Sequence, residues 1–156
     1  AEYATVGPEP GVTLVYGTMY GNTESMVEAV AQGVAQADMP VDIFDVRHNH
    51  ASYILPSIYA RKGVLVGAPT YEGELFPPMA HLLDIIKRKR IRNRTVSYFG
   101  SYGWSGGARR ELETWAEELR WEVAEAWEFP GSPTNEALDK GVELGYRFAQ
   151  AVKENI

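Results

Sequence analysis

Residues 12–25 read Val-Thr-Leu-Val-Tyr-Gly-Thr-Met-Tyr-Gly-Asn-Thr-Glu-Ser. The first five are apolar or β-branched without alternation, which is how a strand reads when helices cover both of its faces. Gly17 and Gly21 permit a tight turn and close approach of the backbone. Asn22 or Thr23 can cap the helix that follows. A helix start offers unpaired N–H groups and the positive end of its dipole, so an anion is stabilised there without a cation. The loop indeed holds no Lys or Arg. A nucleoside triphosphatase would need G-K-[ST] and Mg²⁺, and a dinucleotide site would show G-x-G-x-x-G; this loop has only G-x-x-x-G. One terminal phosphate held by backbone amides and the short donors Thr18, Asn22, Thr23 and Ser25 remains, beside the plainer reading of a Gly-rich turn with a well-capped helix.

Working outward, further strand-like runs lie at Val41–Asp45, Gly63–Gly67, Thr95–Gly100 and Glu122–Glu128. Between them, Thr23–Ala37, Pro77–Arg90, Ala108–Arg120 and Asn135–Lys153 carry apolar residues at i, i+3, i+4, i+7, the spacing of amphipathic helices. His50–Ala60 is weaker because Pro56 interrupts it, and reads as a short, irregular helix. Strict βα alternation predicts an α/β fold: a parallel sheet, right-handed crossovers and helices on both faces. Ligands of such sheets sit beyond the carboxyl ends of the strands, where the strand order reverses. Function is therefore expected in the loops after the first, third and fourth strands.

The chain has 156 residues, 45% apolar and 23% charged, enough for one domain. A net charge of −6 argues against a nucleic-acid binder. No run approaches the ~20 apolar residues of a membrane span. With no cysteine there is no disulfide framework, iron–sulfur cluster or thiol nucleophile, which fits a cytoplasmic protein. Residues 1–11, rich in Pro and Gly, read as a linker or N-terminal extension, and 12–156 as the domain.

The loop after the third strand is Ala68-Pro69-Thr70-Tyr71-Glu72-Gly73-Glu74-Leu75-Phe76-Pro77-Pro78, and the loop after the fourth is Ser101-Tyr102-Gly103-Trp104-Ser105-Gly106-Gly107. Tyr20, Tyr71, Phe76, Tyr102 and Trp104 concentrate aromatics on ligand-facing loops, which calls for a flat apolar partner unless the rings pack back on the core. A flat ring between two loops with a phosphate at a third describes FMN. The glycines let backbone groups reach the ring edge.

At these residues the chain resembles the flavodoxin-like domain of the flavo-diiron proteins, or A-type flavoproteins. The segments VTLVYGTMYGNTESMVEAVAQG, GVLVGAPTYEGELFPPMAHLLDIIK and SYFGSYGWSGGARREL carry the match, which spans about residues 12–153. The resemblance implies a flavodoxin-like three-layer sandwich with a five-stranded parallel sheet of order 2-1-3-4-5 and non-covalent FMN; flavodoxin is the standard illustration of the switch-point rule used above. Carried across, Thr18, Met19, Tyr20, Gly21, Asn22 and Thr23 match the phosphate loop. Pro69, Thr70, Tyr71 and Gly73 match the first ring loop, and Ser101, Tyr102, Gly103, Trp104, Ser105, Gly106 and Gly107 the second. The family's FMN takes electrons from a rubredoxin or a flavin or NAD(P)H reductase. It relays them to a diiron metallo-β-lactamase-like domain that reduces O2 or NO, usually across a homodimer. This chain lacks the family's H-x-E-x-D-H iron-ligand run, so it is expected to be a redox module whose iron domain lies elsewhere, with no metal and no catalytic residue of its own. A free-standing flavodoxin and an NAD(P)H-dependent quinone reductase are the alternatives on the same fold.

Two other features invite bland readings. His48-Asn49-His50 has metal-like spacing but no third ligand, and reads as a loop. Residues 87–94 hold six of the fifteen basic side chains, favoured at a helix C-terminus by its dipole; docking to an acidic partner is the sharper reading.

Overall fold

In the computed structural model the described residues are 9–17, 22–46, 48–67, 70–71, 74–75, 77–91, 94–101, 106–129 and 134–154. In chain order the elements are β1 (Glu9–Tyr16), α1 (Asn22–Gln36), β2 (Val41–Asp45), α2 (Ala51–Ala60), β3 (Arg61–Gly67), β4 (Thr70–Tyr71), β5 (Glu74–Leu75), α3 (Pro77–Arg88), β6 (Thr95–Ser101), α4 (Gly106–Glu118), β7 (Glu122–Phe129) and α5 (Asn135–Glu154). The main sheet is parallel, in the order β2-β1-β3-β6-β7. Among its own strands that is 2-1-3-4-5, as expected.

The unalternating apolar runs have their reason in the layers. In β3, Val64 and Val66 join the core under α2, α3 and α4, while Leu65 joins the core under α1 and α5; all three are fully buried. Most element ends fall within one to three residues of expectation, and two differences have a structural cause. β1 starts at Glu9, because Glu9 pairs with Arg61 across a bulge that ends at Val12. α2 is a regular helix despite Pro56. The ring removes the donor that Ser52 C=O would receive, but both residues are exposed, so water can serve that carbonyl.

The α1–α5 contact is unusually close. A Cβ on Gly33 would strike the carbonyl of Val142, and one on Gly145 would strike the carbonyl of Val30. Gly141 likewise leaves room for the Met26 sulfur. Glycines here let the two backbones touch.

The opposite helices are tied through polar groups. Arg94 is buried at 7% exposure and donates from Nε to Ile58 O and from Nη2 to Tyr59 O, both at 3.1 Å, serving the last carbonyls of α2. The basic run is thus partly structural: Lys87 pairs with Glu118, and Arg88 with Asp84 at 2.6 Å. A partly buried chain of hydrogen bonds joins four elements. Ser57 Oγ donates to Asp42 Oδ2 at 2.7 Å, so the Thr13 hydroxyl donates to Ser57 Oγ at 2.6 Å, and Arg61 Nε reaches the same carboxylate at 3.4 Å.

Three helices end alike. Asp38, Arg90 and Arg120 have φ of 58°, 56° and 59°, and each donates its N–H to a carbonyl three residues back. The next residues, Met39, Ile91 and Trp121, are buried and bond five residues back. These are Schellman ends with a side chain where Gly is usual. Asp38→Gly, Arg90→Gly and Arg120→Gly are each expected to raise stability by ~0.5 kcal/mol, the left-handed strain relieved less the added unfolded-state entropy. Urea unfolding checks this, and a triple variant no more stable than wild type overturns it.

Candidate functional site

The strand ends that launch the three loops are locked together. Gly17 N–H donates to Gly67 O at 3.0 Å, joining the end of β1 to the end of β3. Gly67 lies flush under Phe99 of β6: a Cβ there would stand 2.5 Å from Phe99 Cζ. Val46 N–H donates to Tyr16 O at 2.8 Å, adding the end of β2. The chain leaves β1 toward β2 on one side of β1 and leaves β3 toward β6 on the other. The strand order therefore reverses between β1 and β3, which is where such sheets open a crevice.

Around that crevice, α1 begins five residues after Gly17, with Asn22 and Thr23 in its first turn. The stretch after β3 is not simply a loop. Thr70–Tyr71 and Glu74–Leu75 pair antiparallel as a two-stranded arm, and β5 packs against α4. The arm of the first ring loop therefore leans on the helix that follows the second. Ser101 is the last residue of β6, and Gly106 and Gly107 open α4, so these three belong to elements rather than to a loop. Thr18, Met19, Tyr20, Gly21, Pro69, Gly73, Tyr102, Gly103, Trp104 and Ser105 lie outside the described residues.

The histidines fall elsewhere. His50 is the N-cap of α2, its Nδ1 accepting from Ser52 N–H at 3.1 Å. His48 Nε2 stands 3.7 Å from Asp45 Oδ2 at the end of β2, and Asn49 Oδ1 accepts from Asp45 N–H at 3.0 Å. His81 is exposed on α3. His-Asn-His is thus a connection that caps a helix. Sequence reasoning missed the cap because His is a rare cap residue. Among the described residues, no group of three or more His, Asp or Glu is placed to hold a metal, and no helix is long and apolar enough to cross a membrane.

At the basic run, burial pushes the Arg94 pKa below its usual value, with Tyr59 opposing. Burial also lowers that of Lys62, helped by the charge of Arg94 and opposed by Glu122. These groups lie at the amino-terminal ends of the strands, away from the crevice.

Comparison with known proteins locates this arrangement. The family model described as flavodoxin matches residues 14–145. The anaerobic nitric oxide reductase flavorubredoxin of Escherichia coli is 37% identical over 144 residues, covering 91% of this chain and 30% of that protein. Among solved structures, the rubredoxin oxygen:oxidoreductase of Desulfovibrio gigas superposes with a TM-score of 0.90 at 28% identity, covering 99% of this chain and 39% of that one. The flavodiiron core of a Synechocystis protein gives 0.86 at 29% identity, covering 94% and 37%. The chain thus spans about a third of the length of these relatives.

Proposed function

The chain belongs to the flavodoxin family, and from that premise we propose that it is an FMN-binding electron-transfer domain that relays electrons to a diiron domain reducing O2 or NO. The observation that carries this reading is the set of joined strand ends where the strand order reverses. Gly17, Gly67 and Phe99 bring three loop origins together, beside a helix start with no lysine or arginine in the loop before it.

The residues present fit FMN. Its phosphate would be held by the loop 18–23, through backbone amides at the start of α1 and the hydroxyls of Thr18 and Thr23. Its ring would lie between Pro69, Thr70, Tyr71 and Gly73 on one side and Ser101, Tyr102, Gly103, Trp104, Ser105, Gly106 and Gly107 on the other. The Gly67–Phe99 contact supports this by holding the ends of β3 and β6 together, the Phe99 ring filling the space over Gly67. FMN, when bound, supplies one- and two-electron redox chemistry; the chain supplies orientation, a water-excluding aromatic wall and an anion site. Residues 12–156, with Glu9–Gly11 at the start of β1, form the module, working in the cytoplasm, and the residues before Glu9 lead into it. The donor is a rubredoxin or a flavin or NAD(P)H reductase, and the acceptor a diiron domain, across a homodimer. Similarity to a flavorubredoxin and to a rubredoxin oxygen:oxidoreductase supports these partners.

The test is direct. The purified chain is expected to be yellow, or to become so with added FMN, and to release FMN on denaturation. Thr23→Ala is expected to weaken FMN by about 1–3 kcal/mol in a flavin-fluorescence titration, through one lost donor to a charged group. A chain that stays colourless and refuses FMN overturns the reading.

A further inference from the structure

A cavity of about 130 Å³ lies between the start of α2 and the first turns of α3. Its floor is apolar: Ile54 and Leu82 are buried and Val46 is half-buried. Asn49, His50 and His81 also line it.

The hydrogen bonds fix what the polar wall presents. His50 Nδ1 accepts the Ser52 N–H, so the proton of the neutral ring sits on Nε2 and that nitrogen donates. An Nε2 that carries a proton has no lone pair for a metal. Asn49 Oδ1 is taken by Asp45 N–H, which leaves its NH2 group to donate. His81 adds an imidazole. Two of the first amides of α2 are taken, Ser52 N–H by the His50 ring and Tyr53 N–H by His50 O at 2.9 Å. Donors over an apolar floor call for an acceptor with a short hydrocarbon tail. The volume equals that of about four waters, enough for ~4–6 heavy atoms.

We propose that this cavity binds a small free carboxylate, its oxygens taken by His50 Nε2–H, the Asn49 amide and His81, and its tail resting on Ile54 and Leu82. The site lies beside the strand ends, which Val46 also borders, and its donors Asn49, His50 and His81 are not residues of the flavin loops.

The experiment is an NMR titration of the full chain with propionate. The expected result is saturable shifts at Asn49, His50 and His81, with none from 1-propanol or chloride at the same concentrations. His50→Ser keeps a good cap while removing the ring, and His81→Leu changes an exposed position. Each is expected to weaken propionate by about tenfold, the loss of one hydrogen bond to a charged acceptor. Unchanged affinity in both variants overturns the proposal, as does equal saturation by chloride. A peptide carrying one Glu, capped at both ends, distinguishes a docking surface: saturation by that peptide and not by propionate also overturns it.

Discussion

Gly145→Val is expected to lose more than about 4 kcal/mol, a large part of the 5–15 kcal/mol that holds a domain of this kind folded. The cause is backbone against backbone. The Cβ of residue 145 points at the Val30 carbonyl of α1, and neither a helix carbonyl nor a helix axis can turn aside as a flexible side chain can. The helices would have to separate, and the separation would loosen Val30, Val34, Leu144, Phe148 and Ala149, all buried in one core. Gly145→Ala already carries the offending atom and is expected to cost ~2–3 kcal/mol, against the usual gain of Ala over Gly inside a helix. Urea unfolding followed by circular dichroism measures both. The exposed Glu143→Ala on the same helix serves as control and should change stability by less than ~0.5 kcal/mol. A Val variant within 1 kcal/mol of wild type would mean that the helices are not in contact as described.

Arg94→Ala is the second large effect, at an expected ~2–4 kcal/mol. The guanidinium is costly to bury, which is why its pKa falls, and removing it recovers part of that cost. The loss is greater. Ile58 O and Tyr59 O would each lose a donor where little water reaches, and the aliphatic stem would leave a void. Arg94→Lys is expected to recover less than half, because an ammonium cannot span two carbonyls as the planar fork does. Hydrogen exchange gives the sharper readout: amides of α2 should lose protection before those of α1 and α5. Uniform loss across the chain would show that Arg94 is not the clasp of α2.

Much of this fold was legible in the residues. β2 was read at its observed bounds because VDIFD is short, β-branched and set off by Pro40 and a polar stretch. The helix faces were read from spacing, and the buried Met26, Val30, Leu82, Ile86, Leu112 and Trp115 lie where it put them. The illegible parts depend on distant partners. Nothing local in Glu9-Pro10-Gly11 shows that Glu9 will pair with Arg61. Nothing in RNRT shows that Arg94 turns inward to cap a helix thirty-five residues away. The β4–β5 arm has only two residues on each side, too few for alternation to be seen. For the candidate site, position was legible from the βα order and the glycines, since both follow from chain topology. The cavity beside it was not, because it joins the β2–α2 connection to α3, and nothing in His48-Asn49-His50 shows that α3 will pack against it.

The bond from Gly17 to Gly67 has a counting consequence. That amide sits at the mouth of the opening, where a bound oxyanion would otherwise find its earliest donor, yet it is already committed to a peptide oxygen of the neighbouring strand. On the proposed reading, a phosphate held there would take its peptide donors from position 18 onward. Gly17 thus serves as a hinge pin between the two strands rather than as a ligand.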